Sequence, residues 1–145
     1  MIYLVNKYIG FYHFSITMLI IIPVLCIIFY SHYNKLKVLL KYSLIINFLT
    51  FYLYLFYNGV FNYKIHLPLH LCYITEVAIF LSLIFKIQKI KSWLVLNATL
   101  GALVGFINSN LTLNSLPIEY IHYYISHFNL LLFSIIAFKS KEHIS

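Results

Sequence analysis

The stretch Ile65-His66-Leu67-Pro68-Leu69-His70-Leu71-Cys72-Tyr73-Ile74-Thr75-Glu76 places two histidines, a thiol and a carboxyl where a long apolar run begins. A second group, Glu119, His122 and His127, stands at the start of another apolar run. A thiolate and an imidazole supplied by different helices form a nucleophile and base pair: the sulfur attacks, and the imidazole takes and returns the proton. In hydrocarbon surroundings ionisable side chains are expensive, and the default reading of such groups is a functional site. At a membrane boundary the fitting substrate is a lipid acyl ester.

Helical spacing refines the candidates. His66 and His70 are four residues apart, as are Cys72 and Glu76, so each pair can share a helix face. His70 and Cys72 differ by about 200° around a helix axis and need not face one cavity. His122 and His127 differ by about 140°, so one of them faces the site. His127 is the candidate base because it lies deeper, beside Ser126 and Asn129 in the chain. Glu76, about two turns into its helix, must be neutral or paired. With His122 and Asn108 it is a candidate for holding substrate. The plain alternatives are an inert buried thiol for Cys72, and imidazoles of His66 and His122 that simply reach water at the interface. The tyrosines read as an aromatic belt at the membrane surface.

The elements that must position these groups follow from composition. The chain has 145 residues, 63% hydrophobic and 9% charged, with a mean hydropathy of +0.91. Soluble domains carry roughly 25% charged residues, so the composition is that of an integral membrane protein with a single all-α domain. No Gly/Ser/Pro-rich linker divides it. Helices of roughly 20 apolar residues are expected over about 11–30, 38–57, 68–85, 93–107 and 117–138, a polytopic bundle of about five. Pro23 falls within the first. Pro68 and Pro117 suit first helical turns, where a missing amide proton costs nothing. Asn58-Gly59 suits a turn, with a short loop around Lys64. Gly101 and Gly105 have a spacing that lets helices approach closely. No leader-like core with a cleavage site precedes the first apolar run, which is therefore expected to remain as a helix.

All ten basic residues are lysines, giving a formal charge of +7. They lie between apolar runs and not in one patch, which argues against nucleic acid as a partner. Lys35, Lys37, Lys41, Lys86, Lys89, Lys91, Lys139 and Lys141 fall on one side of the expected topology, and Lys7 and Lys64 on the other. Eight against two places the C-terminus in the cytoplasm and the N-terminus outside. Every candidate site residue then lies in the outer half of a multi-pass protein of the cell membrane, with His13 and Asn110 on the same side. Cys26 and Cys72 sit in such different settings that they form no disulfide framework.

Three short motifs resemble the YwaF family of bacterial integral membrane proteins: Leu67-Pro68-Leu69-His70-Leu71-Cys72, Leu100-Gly101-Ala102-Leu103 with Asn108 following, and Tyr124-Ile125-Ser126-His127. Eukaryotic relatives in that broader family include a transmembrane acyltransferase that makes ether phospholipids through a cysteine. The resemblance implies Cys72 as nucleophile, His127 as general base and His70 as a further polar member of the site, with membrane lipids as partners. Where many members follow the cysteine with an acidic residue, this chain has Tyr73.

Two other classes compete. Histidines of the third and fifth helices could ligate haem or, with Glu76 and Cys72, a transition metal, although the paired-histidine pattern of a two-haem protein is missing. The reading adopted requires no cofactor and no metal. A non-enzymatic membrane subunit or small-molecule carrier, acting with a partner membrane subunit or as a homo-oligomer, would use the same histidines to bind ligand or protons.

Overall fold

The computed structural model describes residues 20, 24, 32–66, 71–107, 111 and 115–142. Its elements are α1 (Tyr33–Tyr57), the single turn α2 (Tyr63–His66), α3 (Leu71–Phe85), α4 (Lys91–Ile107) and α5 (Pro117–Glu142). The described residues are thus all-helical, with four long helices and no strand. The helix expected over about 11–30 lies outside them. Compared with expectation, α1 begins earlier than residue 38, α4 earlier than residue 93, and α5 runs past residue 138. Each extension adds lysine-bearing turns, since a helix continues beyond the apolar segment until a stop signal intervenes. The loop expected around Lys64 contains the turn α2.

The stop signals are visible. At the end of α1, Gly59 takes φ +65°, and the Val60 N–H donates to the Leu55 carbonyl at 3.0 Å. At the end of α3, Lys86 takes φ +53°, and the Ile87 N–H donates to the Ser82 carbonyl at 3.1 Å. Both are Schellman closures, a left-handed residue followed by a bond back across six residues. Gly59 adopts that conformation without side-chain cost, and the expected Asn58-Gly59 turn is where the structure has one.

Asn34–Tyr57 and Pro117–Phe138 are long and apolar enough to cross a membrane. α3, with 15 residues, extends about 22 Å, and α4, with 17, about 25 Å. Both are shorter than a hydrocarbon core of about 30 Å. α5 is the hub and packs against α1, α3 and α4. The core combines Leu40 and Leu44 of α1, Ile79 of α3, Leu94, Ala98, Ala102 and Phe106 of α4, and Leu130, Phe133 and Ile136 of α5. Small residues on α4 let its backbone approach α5, as membrane helices require in the absence of a hydrophobic drive between them. Thr99 adds a hydrogen bond from its hydroxyl to Ser134 Oγ at 3.0 Å. The outward face of α1 is apolar as well: Val38, Ile46, Leu49 and Leu53 are all exposed. An outward face of this kind is suited to lipid contact.

Candidate functional site

The two glycines of α4 are the floor of the candidate site. Gly101 and Gly105 lie one turn apart on one helix face. A Cβ on Gly101 would stand 3.3 Å from Cys72 Sγ and 3.3 Å from Leu130 Cδ1. A Cβ on Gly105 would overlap the His127 ring at Cδ2 and Nε2. The glycine spacing therefore does more than bring helices close. It makes a groove into which α3 inserts the thiol and α5 the imidazole, on adjacent turns about 6 Å apart. Cys72 is a half-buried free thiol packed at the edge of the core.

His127 is held in one tautomer. Its Nδ1 lies 2.7 Å from the Tyr123 carbonyl oxygen. A carbonyl only accepts, so Nδ1 carries the proton and Nε2 presents its lone pair toward the α4 groove. The Tyr123 hydroxyl donates to the Gly105 carbonyl at 2.6 Å. That carbonyl belongs to the last turn of α4, where intrahelical donors run out. The Tyr123 ring also lies against the imidazole, with centroids 4.2 Å apart. One residue thus ties α4 to α5 and orients the histidine. Sequence reasoning missed Tyr123, because among 14 tyrosines nothing local sets it apart.

α5 turns a second face to α1 and α3, and there Ser126 and Asn129 accompany His122 and not His127. Asn47 Nδ2 donates to Ser126 Oγ at 3.0 Å, and Ser43 Oγ donates to Asn129 Oδ1 at 2.7 Å. Glu76 is fully buried beside them. Ser126 and Asn129 are its polar neighbours, and both carboxyl oxygens and Asn129 Nδ2 are without a partner among the described residues. Glu76 thus stands in this interhelical cluster, one turn beyond the thiol on α3.

His122 and His66 do not reach water as expected. His122 is 1% exposed, stacked on Phe51 with centroids 3.9 Å apart and on Tyr73 at 5.3 Å. Neither ring nitrogen has a hydrogen-bond partner among the described residues. His66 is fixed at both nitrogens. Its Nδ1 accepts the Asn62 N–H at 2.8 Å, so Nε2 carries the proton and donates to Glu119 Oε1 at 3.2 Å. Glu119 Oε2 in turn accepts the Leu116 N–H at 2.6 Å, closing the N-terminus of α5 from its third residue. His66 and Glu119 are thus a clamp between α2 and α5. His70 and Asn108 lie outside the described residues, as does His13. No three of His, Cys, Asp and Glu converge as a metal site among the described residues.

The TMEM164 family model matches residues 8–144. The chain belongs to the TMEM164 family. The match spans the α4 groove, the Glu76 cluster and the His66–Glu119 clamp alike. With two helices long and apolar enough to cross a membrane, membership makes this TMEM164-family chain a membrane protein. The YwaF reading of the three motifs goes beyond what the match shows. No curated protein and no solved structure matches the chain significantly.

Proposed function

We propose that this protein is a multi-pass, YwaF-type protein of the cell membrane that transfers or hydrolyses lipid acyl groups at Cys72. The observation that carries this reading is the shared glycine groove, which seats the Cys72 thiol and the Nε2 edge of His127 on adjacent turns of one helix. The tautomer of His127 supports it, since the free lone pair is the one beside the groove.

In the proposed cycle Nε2 of His127 takes the Cys72 proton, and the thiolate attacks the carbonyl carbon of an acyl ester. The tetrahedral intermediate collapses by breaking the ester C–O bond, and His127 returns the proton to the leaving alkoxide. The acyl group now rests on sulfur as a thioester. A lysolipid hydroxyl, or water, then gives its proton to His127 and attacks the thioester carbonyl. The C–S bond breaks, and the thiolate recovers the proton. His70, which precedes α3 in the sequence, is a further polar candidate, and His122 and Asn108 are the remaining candidates for holding substrate. Membrane lipids are the partners. The lysine asymmetry supports an outside N-terminus and a cytoplasmic C-terminus, with the site in the outer half of the membrane.

The test is covalent labelling of the membrane-embedded protein with a long-chain acyl probe that traps an activated thiol. Labelling is expected to vanish in Cys72→Ala and to fall by about 10²–10⁴-fold in His127→Ala, the range for loss of a general base. Equal labelling of all three proteins, or none in a folded wild type, would refute acyl transfer and leave the carrier or subunit reading.

A further inference from the structure

The proposed thiol chemistry does not use Glu76 or the space beside it. Glu76 is fully buried, and both its carboxyl oxygens are without a hydrogen-bond partner among the described residues. It forms part of the wall of a half-open cavity of about 330 Å³ between α1 and α3. The rest of that wall is apolar: Leu44, Ile45, Phe48 and Leu49 of α1 with Val77 and Phe80 of α3. Ile45, Leu49 and Val77 are exposed, so the cavity opens on the outer flank of the bundle, toward lipid. A mostly apolar wall with one or a few placed polar groups is the make-up of a small-molecule site.

The polar neighbours fix what the carboxyl can offer. Ser126 Oγ accepts from Asn47 Nδ2, and Asn129 Oδ1 accepts from Ser43 Oγ. What remains to serve Glu76 is the Ser126 hydroxyl proton and Asn129 Nδ2, and both residues stand as donors toward the carboxyl. An ionised carboxylate beside hydrocarbon, without a counter-charge, is strongly unfavourable. A protonated carboxyl fits: its carbonyl oxygen accepts from Ser126 and Asn129, and its O–H is left to donate into the cavity. The matching ligand is hydrocarbon with an acceptor at its polar end. A water finds no second partner in the apolar wall, whereas a buried water makes about three hydrogen bonds. A hydroxyl would strand its own proton there; an acyl carbonyl oxygen only accepts.

We propose that the α1–α3 cavity binds the acyl chain of a membrane ester lipid, with the protonated Glu76 carboxyl donating to the ester carbonyl oxygen and the chain lying against Phe48 and Phe80. The cavity lies on the α1 side of α3, whereas Cys72 is received by α4. The site is thus a second lipid contact and does not depend on acyl transfer at the thiol.

The experiment uses the full chain carrying Cys72→Ala, so that no ester is consumed, in nanodiscs of an ether-linked phospholipid that lacks acyl carbonyls. The probe is a phosphatidylcholine whose ester-linked chain carries a photoactivatable diazirine, and crosslinked residues are located by mass spectrometry. Saturable crosslinking is expected at the cavity residues of α1 and α3. Unlabelled ester lipid is expected to displace the probe at a concentration about 2- to 10-fold lower than its ether analogue, the worth of one hydrogen bond. Glu76→Gln, whose amide N–H donates in place of the carboxyl O–H, is expected to keep that preference. Glu76→Leu is expected to abolish it, ester and ether then competing equally. Val77→Trp at the cavity mouth is expected to remove the crosslinks at Phe48 and Phe80, and keeps the proposal testable if Glu76→Leu does not fold. No saturable crosslinking at these residues, as would follow if another segment of the chain fills the cavity, overturns the proposal. So does equal competition by ester and ether on the Glu76 protein, an ester preference that survives Glu76→Leu, or crosslinking indifferent to Val77→Trp.

Discussion

Gly105→Ala is the sharpest probe of the α4 groove, because two opposing effects can be compared. Alanine favours a helix over glycine by about 0.8–1.0 kcal/mol. Against that, the new Cβ would overlap the His127 ring, and overpacking a well-filled core costs about 1–3 kcal/mol. The ring cannot retreat without lengthening its 2.7 Å bond to the Tyr123 carbonyl, and a buried group left without its partner costs a further 1–3 kcal/mol or so. The net is a destabilisation of about 3 kcal/mol, on the order of 10 °C in Tm. Gly101→Ala is the internal control. Its Cβ would meet only the ends of two side chains, Cys72 Sγ and Leu130 Cδ1, at 3.3 Å. A shift of a few tenths of an ångström relieves that contact, and the helix-propensity gain offsets it. Thermal unfolding in nanodiscs, followed through the one tryptophan, Trp93, measures both variants. Acyl-probe labelling of Cys72 is expected to fall with Gly105→Ala, because the displaced imidazole leaves the groove that also receives the thiol. On a His127→Ala background the penalty of Gly105→Ala should give way to the helix-propensity gain, a coupling of about 4 kcal/mol between the two positions. If Gly105→Ala unfolds and labels like wild type, or loses as much stability without the ring as with it, the groove does not work as described.

Two further outcomes follow from the histidines that are not in the groove. His122→Phe places a similar ring between Phe51 and Tyr73 and removes two buried nitrogens that lack partners; Tm is expected to stay level or rise, while labelling falls with the loss of a substrate contact. A folded His122→Phe that labels like wild type would remove this imidazole from the substrate site. Glu119→Ala removes both the His66 contact and the cap on the Leu116 N–H, and should lower stability by about 1–2 kcal/mol in the same unfolding assay. Glu119→Gln, whose amide oxygen can still accept from Leu116, should lose less, and equal losses would place the effect elsewhere than in the cap.

The sequence by itself determined the class and most of the helix placement. Apolar runs of spanning length, closed by lysines, required helices over most of the chain, and Asn58-Gly59 and Pro117 marked a stop and a start through backbone conformation alone. The five-residue spacing of His122 and His127 already required different faces, and the structure shows those faces turned to α1 and to α4. These signals are local: they depend on residues within a few turns of one another. Tertiary structure alone decided the partners. That Gly101 receives Cys72 and Gly105 receives His127 depends on how α3 and α5 are rotated against α4, which no single-helix pattern encodes. His66 and Glu119 are 53 residues apart, and Asn47 and Ser126 are 79 apart, so neither pair leaves a trace in local spacing. Glu76 was visible as a costly carboxyl, but its polar neighbours come together only where three helices meet, because each contributes one or two polar side chains to a junction that none could form alone.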